Sequence, residues 1–105
     1  MQAYYPSVME REMGCTPAEW LMWLPDAVGP WPLTVQENPS ASQGQALAQP
    51  HAGVLRLSWQ VLPDRVLGLV RLPRLQVRFE FESISEDDRQ RFMRRFDLYM
   101  QRGGG

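Results

Sequence analysis

Lysine is missing altogether from these 105 residues, and cysteine and histidine occur once each, as Cys15 and His51. A lone cysteine excludes an intramolecular disulfide, and nothing has the Cys/His spacing of a structural zinc site. No apolar run approaches the roughly 20 residues of a membrane-spanning helix. The start, Met1-Gln2-Ala3-Tyr4-Tyr5-Pro6, has no basic segment leading into an apolar one, so no secretory leader is expected. These absences lead to the expectation of a cytoplasmic protein with no membrane contact, no cofactor and no metal. All 11 basic residues are arginine, as codon usage in a GC-rich bacterial genome would produce without selection for the guanidinium.

The formal charge of -1 hides an asymmetry. Residues 1–52 carry one arginine against Glu10, Glu12, Glu19, Asp26 and Glu37, a net -4, whereas residues 53–105 carry a net +3. A chain of this length is sufficient for one hydrophobic core, and a single α+β domain over 1–105 is expected.

The most patterned stretch runs from Gly53 to Glu82. Leu55, Leu57, Trp59 and Val61 alternate with Arg56, Ser58 and Gln60, and Leu75, Val77, Phe79 and Phe81 alternate with Gln76, Arg78, Glu80 and Glu82. Period-two alternation marks strands with one face buried. Between them, Val66-Leu67-Gly68-Leu69-Val70-Arg71-Leu72 is apolar at both parities, like a central strand. Two-residue turns at Pro63-Asp64 and Pro73-Arg74 predict a three-stranded meander, with Trp59 opposite Gly68 and Gly68 opposite Phe79. Gly68 would then make room for aromatic rings. Proline cannot supply the positive φ that two-residue hairpin turns prefer at their first position, which stands against these turns.

Elsewhere the signals are shorter. Ser7 and Glu10 suggest one helical turn ending at Gly14. Thr16-Pro17-Ala18-Glu19 has the form of a capped helix start. The tryptophan-rich helix carrying Trp20, Trp23 and Leu24 is expected to stop near Leu24, or to kink at Pro25 and end by Gly29-Pro30. Trp31–Glu37 predicts a short edge strand, and residues 38–52 a mobile loop, the alternative being a weak strand around Ala46-Leu47-Ala48. Ser85 caps a C-terminal helix with Glu86-Asp87-Asp88 in its first turn and a stripe of Phe92, Met93, Phe96, Tyr99 and Met100. Residues 1–6 and 103–105 are expected to fray. The expected fold is therefore an antiparallel sheet of about four strands, a short edge strand plus the meander, with the C-terminal helix on one face.

No residue pattern carries a catalytic assignment. Cys15 precedes a helix start, where a thiolate is favoured, but His51 lies in the loosest stretch. Glu80, Glu82, Glu86, Asp87 and Asp88 are accounted for as a wet strand face and a helix start. What stands out is the meander's outer face, where Leu67 and Leu69 lie beside Arg56, Arg71 and Arg78, with Arg56 opposite Arg71. Either the layer of Trp20, Trp23 and Leu24 covers the two leucines or a partner does. The expected function is a small non-enzymatic interaction or adaptor domain with a protein partner or a second copy on that face. The alternative is anion, nucleotide or nucleic-acid binding by the arginines.

Overall fold

The computed structural model describes residues 4–36 and 42–102. In chain order its elements are β1 (Val8–Met13), α1 (Pro17–Val28), β2 (Leu33–Gln36), β3 (Gln43–Ala48), β4 (Val54–Leu67), β5 (Val70–Glu82) and α2 (Glu86–Arg102). The strands form one antiparallel sheet of five in the order β1-β5-β4-β3-β2.

The expected meander is instead one long hairpin. β4 and β5 pair from Val54↔Glu82 to Leu67↔Val70, placing Leu57 opposite Phe79 and Trp59 opposite Val77. Its turn is Gly68-Leu69, with Gly68 at φ +62 and Leu69 absent from the residues of positive φ. This is the type II′ requirement, which glycine meets and proline cannot. The prolines take the other place a sheet allows them: Pro63 and Asp64 oppose Pro73 alone in a bulge between the Leu62↔Arg74 and Arg65↔Leu72 pairs. Nothing comes within 4 Å of a Cβ built on Gly68, so it makes room for no ring. That part falls to Gly44, where a Cβ would lie 2.6 Å from the Trp59 indole.

Two further strands bring the count to five rather than four. Residues 8–13, expected as a helical turn, form edge strand β1 against β5, from Val8↔Glu80 to Met13↔Leu75. Residues 43–48, expected within a mobile loop, form β3, which lies between β2 and β4. Gly44, Ala46 and Ala48 face inward and are buried, while Gln43, Gln45 and Leu47 face outward. The edge strand is Leu33–Gln36, shorter than expected. Residues 37–41 of the expected strand and loop, and the expected frays at 1–3 and 103–105, lie outside the described residues. Tyr5, expected to fray, is 4% exposed.

Both helices lie on one face. Trp20, Leu24, Ala27 and Val28 of α1 are buried with Phe92, Met93, Phe96 and Met100 of α2 against Leu55, Leu57, Trp59, Leu75, Val77, Phe79 and Phe81. The rings interlock: Trp20 lies 5.6 Å from Trp59 and 5.9 Å from Phe96, and Phe96 lies 5.4 Å edge-on to Phe79. The Trp20 Nε1 is buried with no acceptor among the described residues. α1 runs unbroken through Pro25 to a cap at Gly29. Pro25 is exposed, so the carbonyl left without a donor lies where water reaches it. The start matches its sequence signal, with the Thr16 hydroxyl accepting from the Glu19 N–H at 3.1 Å and the Glu19 carboxylate accepting from the Thr16 N–H at 3.0 Å. Ser85 Oγ accepts from the Asp88 N–H at 3.2 Å and opens α2.

Candidate interaction surfaces

Inward positions of β4 and β5 are buried as far as Trp59 and Leu75, and past Leu62↔Arg74 the hairpin leaves the helices behind. From Pro63 to Leu72 every residue is exposed. A two-stranded arm therefore projects from a body with a core of its own. Val66, Leu67 and Val70 are just over half exposed, Leu72 is 41% exposed and Leu69 is fully so. Cross-strand partners share a face, so Leu67 and Val70 lie on one side of the arm with Arg65 and Leu72, and Val66 and Arg71 on the other. Apolar surface on both sides of so thin a ribbon has nothing among the described residues to cover it. Two-stranded ribbons are marginal by themselves in water.

The arginines of the arm differ in their engagement. Arg65 and Arg74 both reach Glu12 of β1, at 3.2 and 2.5 Å, and the Arg74 hydrogen bond holds the Glu12 carboxyl below its usual range. Arg71 has no hydrogen bond or ion pair among the described residues.

The five residues singled out in the sequence thus fall in two places. Leu67, Leu69 and Arg71 are on the arm. Arg56 and Arg78 are on the open face of the body, where Arg56 lies opposite Glu80, and Arg78 opposite Ser58. The expected juxtaposition of Arg56 with Arg71 does not form, because the turn is at Gly68. Arg56 bonds Glu82 at 2.6 Å, and Arg78 bonds Glu80 at 2.7 Å and Glu10 at 3.1 Å. The Glu80 hydrogen bond, then that of Glu10, raises the Arg78 pKa. Trp20 and Leu24 are buried in the core, so they form no layer over Leu67 and Leu69.

The open face is otherwise divided. Its β1 and β5 side is this charged ladder, joined by Gln76, whose amide donates to Glu10 at 3.1 Å. Its β2 and β3 side is neutral, with Thr34, Gln36, Gln45 and Leu47 lining an open depression of about 610 Å³ that reaches Arg56, Ser58 and Glu80. A smaller one of about 210 Å³ lies between Gln43, Gln60, Gln76 and Arg78.

The remaining candidates are in ordinary surroundings. Cys15 is 1% exposed, and burial, with Glu19 second, pushes its thiol up to about 11, against the thiolate expected at a helix start. His51 Nδ1 lies 3.7 Å from Asp88, and its ring 4.7 Å from that of Trp31. Among the described residues no group of three or more His, Cys, Asp or Glu could hold a metal, and no helix is long and apolar enough to cross a membrane.

Sequence reasoning singled out Leu67, Leu69 and Arg71, which the structure places on the arm, but missed that Val66, Val70 and Leu72 share their exposure. The signal was Gly68, the only glycine between Val54 and Glu82. No protein-family model matches the chain, and no curated protein or solved structure matches it.

Proposed function

We propose that this chain is a non-enzymatic protein-interaction or adaptor domain, with the β4–β5 arm as its principal contact and the open face of the sheet as its continuation. The observation that supports this reading is the exposed aliphatic cluster of Val66, Leu67, Leu69, Val70 and Leu72 on an element outside the core. Such a patch marks an interaction site on a soluble domain, and each of these side chains would contribute roughly 1.5–3 kcal/mol on full burial. The arginine alternative loses its geometric premise, since Arg56 and Arg78 are each held by carboxylates.

The test is Leu67→Asp and Leu69→Asp. Both should leave unfolding within about 0.5 kcal/mol of wild type, as surface substitutions do, and both should reduce self-association in sedimentation or capture of a partner. Unfolding of the domain by either substitution would show that these leucines are core and would remove the reading. So would unchanged association in both variants.

A further inference from the structure

Building on that reading, we infer that the arm's partner is a second copy of this chain, each copy laying its arm on the outer side of α1 of the other. Three observations converge. The outer side of α1 has exposed apolar side chains of its own, with Met22 67% and Leu21 39% exposed beside exposed Pro25. The helix has no basic residue, only Glu19 and Asp26. Glu19 is occupied in the capping box, whereas the Asp26 carboxylate makes no hydrogen bond or ion pair among the described residues. Arg95 of α2 donates to the Asp26 backbone oxygen, at 3.5 Å, rather than to its carboxylate, and lies over the Tyr99 ring.

The arm is the complement of this surface. Arg71 makes no hydrogen bond or ion pair among the described residues, it lies opposite Val66, and it follows Leu69 by two residues. Spacing agrees as well as sign. Four residues along a helix put Met22 and Asp26 about 6 Å apart, and Val66 and Arg71 are direct cross-strand partners, which puts their side chains about 5 Å apart on one side of the arm. Arg71 can therefore meet Asp26 while Val66, on the same side of the arm, covers Met22.

Pairing arm with arm through the Val66 side would bring two Arg71 side chains into one contact with no acid among residues 65–72, which is repulsive. A reciprocal arm-to-α1 contact avoids this and buries two patches at each of two equivalent contacts. It also closes at two copies, whereas a one-way contact would propagate.

The experiment is sedimentation equilibrium of the full chain with Arg71→Glu, Asp26→Arg and the double reversal. Wild type should be dimeric at concentrations on the order of 100 μM. Each single reversal should raise the dissociation constant at least tenfold with the circular dichroism spectrum unchanged, and the double should recover most of that loss. A wild type that stays monomeric overturns the second copy, as does a dimer that none of the variants disturbs. A dimer abolished by Leu69→Asp but indifferent to Asp26→Arg overturns the α1 contact. A monomer whose arm still binds some other protein, lost in Leu69→Asp, overturns this inference and leaves the interaction domain standing.

Discussion

Among the described residues, Arg11 is the one charged side chain that a strand of the five-stranded body turns toward the helices, and its surroundings show how it is tolerated. Its guanidinium spans both oxygens of Asp97 on α2, and lies 5.6 and 5.8 Å from the centres of the Tyr5 and Phe79 rings. The Tyr5 hydroxyl donates to the same carboxylate at 3.1 Å, and burial and then Asp97 raise its pKa. Asp97→Ala strands the hydroxyl of buried Tyr5 and the half-buried Arg11 guanidinium, so it should cost about 1–3 kcal/mol in urea unfolding. Glu82→Gln, which loosens an exposed pair, should cost less than about 1 kcal/mol. Cys15 carries a pH prediction. Its folded pKa is raised, to about 11 from 9.0, so the folded state holds the thiol proton longer than the unfolded chain does. The stability this contributes is complete below pH 9 and is lost as pH rises toward 11. The loss should reach as much as about 3 kcal/mol at 1.36 kcal/mol per unit. Cys15→Ala should flatten the slope in that window, and in the folded wild type the thiol should resist alkylation until denaturant is added.

At the scale of elements, the arm should be separable from the body. Leu62 and Arg74 face each other in register, so an Asn-Gly turn can join them in place of residues 63–73. None of the removed residues is buried. The shortened chain should keep its near-ultraviolet dichroism, unfold within about 1 kcal/mol of wild type, and sediment as a monomer. The same scale explains what could be read in advance. The alternation of β4 and β5 within the body, the Thr16 cap and the α2 stripe were legible because each is local. β1 was not, because its inward triplet Met9, Arg11 and Met13 has a charge at its centre that only Asp97, 86 residues on, explains. β3 was not, because Gly44, Ala46 and Ala48 alternate in size with little contrast in hydropathy. Their smallness has a purpose visible only from outside the strand: the Trp59 ring occupies the space over Gly44.

On the scale of the whole molecule, the chain extends 45 × 33 × 21 Å, one face of the sheet under two helices and the other open. The candidate site was half legible. The sequence pattern turned Leu67 and Leu69 away from the apolar face beside an arginine but left open what covers them, and the grouping of Arg71 with Arg56 and Arg78 did not survive. A turn at Gly68 moves Arg71 to the arm and puts Arg56 opposite Glu80. By itself, the sequence determined which segments alternate, where the two helices start, and that one glycine lies in the long apolar run, because propensity, capping and positive φ depend on near neighbours. Only the tertiary structure decided which segment lies beside which, that five strands share one sheet, and that the apolar arm stands clear of the core. Pairing joins residues distant in the chain, and a one-residue choice of turn reassigns every partner at once.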